Sequence, residues 1–195
     1  MNNVIDFYFD FISPYSYIAH QKIKSIDKKH VIKFNYKPIL LGGLHNLAGI
    51  TAPAFNQYKM KNMQKDCELV SKKNEIAFQW NSKFPINSLK IMRGYLQVNE
   101  KQKEIYLNTF FNAYWKDNVD LSLEDEISKL LKVLNIDIKI FFEKIREQLI
   151  KDNLKKFTND AFNKEIFGAP TFIVNNKIFW GQDRLEYAIE ELISG

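Results

Sequence analysis

The hydrophobic pattern changes regime three times along the chain. Val4 to Phe9 is dominated by β-branched and aromatic residues, as in a buried strand. Asp10-Phe11-Ile12-Ser13-Pro14 ends the run. Serine is a favoured N-cap and proline a favoured first helical residue, so a helix is predicted from Ser13 through Ile18, Lys22, Ile23 and Ile26. The charged Asp27-Lys28-Lys29 follows, and Val31 to Lys37 alternates as a second strand stopped by Pro38. A connection of this length makes the β-α-β opening parallel.

Strand patterning then disappears, and helical spacing runs from about Thr51 to Ile166. Met60, Met63, Cys67 and Val70 share one stripe; Leu89, Met92 and Leu96 follow a start near Asn87 or Ser88; Ile105, Phe110, Phe111, Tyr114 and Trp115 form a third group. Ser122 and Asp125 read as a capping box ahead of Ile127, Leu130, Leu131 and Leu134. Asp137 caps a helix carrying Phe141, Ile145 and Leu149, and another carries Leu154, Phe157 and Ala161. Past Gly168-Ala169-Pro170 the two-residue period returns. Thr171 to Val174, Asn175-Asn176 and Lys177 to Trp180 predict a hairpin, and Gly181-Gln182-Asp183 leads to a closing helix through Leu185, Ile189 and Leu192. Residues 1–50 and 167–195 thus read as one discontinuous α/β domain, with 51–166 an inserted helical domain.

Composition narrows the function classes. With 195 residues and 46% hydrophobic content the chain has a normal core and needs no staples, which excludes disordered and fibrous classes. A net charge of +5 raises nucleic acid as a partner, but 25 of the 28 basic residues are lysines scattered among acids, without the arginines and groove-reading motif that such recognition favours. No stretch approaches the roughly 18–20 apolar residues of a membrane span. One cysteine, Cys67, excludes a disulfide framework, and its place on an apolar stripe predicts core. Together with a start that lacks a basic signal region, this suggests a cytoplasmic protein. His20, His30 and His45 lack metal-ligand spacing, so no metal is expected.

A β-α-β half followed by a β-β-α half is the thioredoxin skeleton, whose redox members carry Cys-x-x-Cys at the first strand-to-helix turn. Here that turn reads Ser13-Pro14-Tyr15-Ser16, and with no thiol there disulfide exchange is excluded. Ala169-Pro170-Thr171 stands where thioredoxin folds place a cis-proline. Phe7 through Tyr17, Phe167-Gly168-Ala169-Pro170-Thr171-Phe172 and Phe179-Trp180-Gly181-Gln182-Asp183-Arg184-Leu185 resemble the 2-hydroxychromene-2-carboxylate isomerase family. Leu40-Leu41-Gly42-Gly43 and Phe84-Pro85-Ile86-Asn87-Ser88-Leu89 extend the likeness over nearly the whole chain. That family neighbours the kappa-class glutathione transferases in the DsbA-like group, an α/β class in which a thioredoxin fold carries an inserted all-helical domain.

The resemblance implies glutathione as a catalytic cofactor, a small conjugated organic substrate and a homodimer. It makes Ser13 the catalytic serine, hydrogen-bonded to the glutathione sulfur at a helix N-terminus that favours a thiolate. Ala169 and Pro170 match the loop that pairs with the cysteinyl unit, Gln182 and Asp183 the γ-glutamyl site, and Lys59 a lysine at the glycyl carboxylate. Ile50 stands where relatives usually have an asparagine that helps bind glutathione, and Gln182 where kappa transferases commonly have serine; the latter favours the isomerase branch. Plainer roles stand beside these. Ser13 and Asp183 suit helix caps, Lys59 lies in a lysine-rich helix, Ser16 reads as an exposed first-turn residue, and Arg184 pairs with a nearby acid. A glutathione transferase or peroxidase, or a non-catalytic thiol- or peptide-binding module, are the alternatives to an isomerase.

Overall fold

The computed structural model describes residues 3–26 and 32–195, so Asp27-Lys28-Lys29, His30 and Val31 lie outside the described residues. Strand β1 (Val4–Phe9) pairs in parallel with β2 (Lys33–Pro38), from Val4 opposite Lys33 to Phe9 opposite Pro38. On its other side it pairs antiparallel with β3 (Thr171–Val174), which continues into β4 (Lys177–Trp180), giving the order β2-β1-β3-β4. Asn175 and Asn176 have φ of 51° and 60°, the left-handed pair that a two-residue hairpin turn requires. Helix α1 (Pro14–Ser25) links β1 to β2, and no strand interrupts the helical segment between β2 and β3 among the described residues.

That segment comprises α2 (Leu41–Ala48), a 3-10 turn at Pro53–Phe55, then α3 (Gln57–Lys73), α4 (Leu89–Gln97), α5 (Glu100–Trp115), α6 (Glu124–Val133), α7 (Ile138–Lys144) and α8 (Gln148–Asn163). A second 3-10 turn, Gln182–Arg184, precedes α9 (Leu185–Ser194). Alternation along β1 divides the interior. Ile5, Phe7 and Phe9 enter the large core with α1, α9 and the middle helices, while Tyr8 joins Ile39, Leu44, Ala161 and Ile166 on the opposite face, under α2 and α8. The large core is aromatic: Phe7 stacks on Phe172 at 5.2 Å and Phe11 meets Phe111 at 4.7 Å. Each such buried phenylalanine contributes about 1.5–3 kcal/mol. Trp115 Nε1–H donates to the Phe11 carbonyl at 2.8 Å, tying α5 to the turn that follows β1.

Two local expectations fail, and one helix is unexpected. The Ser122–Asp125 capping box does not form, because Asp120 takes both the N–H and the hydroxyl of Ser122, and α6 starts at Glu124 without a side-chain cap. Asp137 does cap α7, accepting from Ile140 N–H at 2.8 Å, but α7 ends at Lys144 and Leu149 sits exposed on α8. Helix α2, which has no counterpart in the sequence reading, forms although it contains Gly42 and Gly43. Its first turn is held from outside: Asp10 Oδ2 accepts from Leu41 N–H at 2.8 Å, and Thr158 Oγ1 of α8 from Leu40 N–H at 3.0 Å.

Candidate active site

At the end of β1, Asp10 is fully buried and supports the turn from below. Its Oδ1 accepts from Ile12 N–H at 3.1 Å while Oδ2 holds α2, and its backbone carbonyl accepts from Ser13 N–H at 3.0 Å. Burial pushes its carboxyl up to about 6, against the opposing pull of hydrogen bonds from Leu41, Ser88 and Ile12.

Ser13 is the N-cap of α1. Its Oγ accepts from Ser16 N–H at 3.1 Å, with extended backbone at φ −84° and ψ 114° as a cap needs. The same hydroxyl donates to the carbonyl of Ala169 at 2.8 Å. One oxygen therefore joins the helix N-terminus to the loop before β3, and the Ala169–Pro170 peptide in that loop is cis. Thr171 Oγ1 closes the loop on the Gly168 carbonyl at 2.7 Å, and Gly181 N–H donates to Pro170 O at 3.0 Å. The Trp180 indole lies over Gly168 so closely that a Cβ there would meet Nε1 at 2.6 Å.

Beyond Gly181, Gln182 is buried and its Oε1 accepts from Lys22 Nζ of α1 at 2.7 Å. Asp183 is half-exposed and pairs with Arg184 at 3.0 Å, as expected of Arg184. It does not cap α9: that helix begins at Leu185 with Arg184 in the cap position and no side-chain cap bond. Lys59 stands apart on the first turn of α3, its side chain exposed and without a hydrogen bond or ion pair among the described residues. Ile50 is likewise exposed, just after the left-handed Gly49 that ends α2. Ser13, Ala169, Pro170, Gln182 and Asp183 are thus linked through consecutive backbone and side-chain contacts, and Lys59 is not.

Ser16 departs from expectation: it is fully buried, with its hydroxyl unpartnered. Cys67 is core, its thiol pushed up chiefly by burial, so it is not a nucleophile. His20 is buried between Tyr36 Oη at 2.7 Å and Asn108 Oδ1 at 3.0 Å, and burial pushes it down to about 4. No cluster of three or more metal-ligating side chains occurs among the described residues. Two contributors escaped the sequence reading. Asp10 carried one signal, an acid between a strand and a Ser-Pro cap; Lys22 carried none, because its partner lies 160 positions away.

What the turn offers chemically is the Ser13 hydroxyl and the Tyr15 N–H at the positive end of a helix, suited to an anionic atom, with no thiol of its own. The chain is 28% identical over 189 residues to 2-hydroxychromene-2-carboxylate isomerase of Sphingobium xenophagum, covering 96% of each protein. It is 25% identical over 197 residues to glutathione S-transferase kappa 1 of Caenorhabditis elegans, covering 92% of this chain and 86% of the relative. In fold it is similar to a solved structure of 2-hydroxychromene-2-carboxylate isomerase, with a TM-score of 0.87 at 24% identity over 98% of this chain and 94% of the other. With its residues 4–192 matching the model of the DSBA-like thioredoxin domain, the chain belongs to that family.

Proposed function

We propose that this chain is a glutathione-dependent isomerase acting on a small conjugated organic substrate, with Ser13 as the catalytic residue. The observation that carries the reading is the position of Ser13 Oγ, which accepts from the first turn of α1 and donates to Ala169 O. When bound, glutathione supplies a thiolate that adds reversibly to the conjugated double bond, permits rotation, and leaves again unconsumed. The groups present suit it: a hydroxyl at the positive end of a helix for sulfur, a backbone loop for the cysteinyl unit, an amide and a carboxylate for the γ-glutamyl end, and a lysine for the glycyl carboxylate.

Each residue then has a defined task. The Ser13 hydroxyl turns its single proton from Ala169 O to the sulfur and holds negative charge there, an electrostatic role of the oxyanion-hole kind. Release of that proton frees the Ala169 carbonyl to accept from a cysteinyl N–H, beside Pro170, so one rotation prepares two contacts. Ser16 N–H keeps Ser13 Oγ in place throughout. Asp183 accepts the γ-glutamyl ammonium, Gln182 its carboxylate, and Lys59 provides a point cation. A reducing compartment such as the cytoplasm, where glutathione is kept as the thiol, is the matching location, and no described helix is long and apolar enough to cross a membrane.

The relative from Caenorhabditis elegans bears the name of a transferase, so the test must separate two uses of one thiol. Titration calorimetry with glutathione on wild type and Ser13→Ala, followed by turnover of a conjugated enone, does so. Saturable binding with isomerised product and an undiminished thiol supports the proposal. Accumulation of a glutathione conjugate assigns the chain to transfer instead, and absence of binding removes both.

A further inference from the structure

An amide side chain has two unlike ends, and which end faces a ligand decides whether it attracts or repels a carboxylate. Gln182 is buried at the junction of β4 and the 3-10 turn before α9, and its Oε1 lies 2.7 Å from Lys22 Nζ. An ammonium only donates, so it accepts the oxygen end of the amide and excludes the nitrogen end. Lys22 thereby turns Gln182 Nε2 away from α1, and Nε2 has no hydrogen-bond partner among the described residues. Burial pulls the Lys22 pKa down, and the nearby Glu186 and Asp183 carboxylates oppose that pull.

We infer that Lys22 is a positioning residue that fixes the polarity of the Gln182 amide, presenting Nε2–H to the γ-glutamyl carboxylate of glutathione and so selecting thiols that carry it. The inference rests on the glutathione reading above. Without Lys22 the amide can rotate and offer oxygen to the carboxylate, exchanging an attraction for a repulsion. Lys22 need not touch the ligand. Its place on α1, nine residues after Ser13, also makes the helix that caps the sulfur the one that sets the distal contact.

The test compares affinities by titration calorimetry for two probes: glutathione and its analogue in which 4-aminobutyrate replaces γ-glutamate, which lacks only that carboxylate. Wild type should prefer glutathione by ~10-fold or more, the range of one charge-assisted hydrogen bond. Lys22→Met should lower glutathione affinity by about that factor, leave the analogue unchanged, and erase the preference; Lys22→Arg, which still donates to Oε1, should restore it. In a Gln182→Ala background Lys22→Met should have no further effect on glutathione affinity, as expected if the lysine acts through the amide. Thermal melting of each variant separates these shifts from loss of fold. A preference retained in Lys22→Met, or a full additional loss in the Gln182→Ala background, overturns the assignment while leaving the proposed function intact. Failure of wild type to bind glutathione overturns both.

Discussion

The Ser13 hydroxyl is engaged by its own helix and by a distant loop, whereas the connection from α2 to α3 and the first turn of α3 extend Ile50, Phe55, Tyr58 and Lys59 into solvent. On one side a single hydroxyl bridges two segments 156 residues apart, and the amide of Gln182 is held by Lys22. On the other, the side chain of Lys59 is exposed and makes no hydrogen bond or ion pair among the described residues. The contrast teaches where selectivity and affinity arise in the proposed site. The cysteinyl and γ-glutamyl half is preorganised, so little ordering entropy opposes its contacts, while the glycyl half must be ordered on binding.

The sharpest way to break this comparison is at Ser13. Ser13→Ala should reduce turnover by ~100- to 1,000-fold, as loss of an oxyanion-hole donor does, while lowering folding stability by about 1–3 kcal/mol for the lost cap and the lost bond to Ala169 O. Steady-state kinetics beside urea unfolding separates the two effects. Unaltered turnover would mean that the rigid half serves the fold alone.

Next in size is a titration beneath the same half. The Asp10 carboxyl, pushed up to about 6, is protonated in the folded chain when the unfolded chain has already ionised, so its stabilising contribution is present below about pH 4 and is lost as pH rises through 6. His20, pushed down to about 4, behaves oppositely, contributing above about pH 6.5 and losing that contribution as pH falls through 4. Each is worth about 3 kcal/mol, so they largely cancel in wild type. Asp10→Asn should therefore make stability rise between pH 4 and 6.5, and His20→Gln should make it fall, by urea unfolding across that range. Identical profiles for the two variants would refute the opposition.

Gly168→Ala tests the packing under the loop. The added methyl must displace the Trp180 indole, which predicts about 1–3 kcal/mol of destabilisation and a shifted tryptophan emission. The smallest effect is expected on the open side, where Lys59→Ala should weaken glutathione binding only about two- to fivefold, the reach of an exposed ion pair. That loss should vanish in 1 M salt, where screening acts over about 3 Å. A Lys59 effect as large as that of Lys22→Met would erase the distinction between the halves.

What the sequence disclosed follows the range of the interactions involved. The Ser13-Pro14 helix start and the Asn175-Asn176 hairpin rest on backbone preferences of one or two residues, and both appear as read. Helix α2 was hidden because its two glycines lower its propensity, and it is Asp10 and Thr158, from elements before and after it, that hold its start. The capping box was legible but outcompeted by Asp120, an acceptor the pattern did not weigh. In the site, the Ser13 turn and the Pro170 loop announced themselves by motif; the Lys22–Gln182 bond could not, since no periodicity relates residues 160 apart. Ser16 misled because a first-turn position is normally open to water, yet here it is fully covered.

Cys67, the chain's one sulfhydryl, is sealed inside the protein, and serines stand at both positions where redox kin keep cysteines. An oxidant that converts the surrounding thiol pool to disulfide therefore finds nothing on the folded protein to modify at that turn. On the proposed mechanism, catalysis would stall for want of the free thiol and resume when the pool recovers, with no mixed disulfide at that turn to repair.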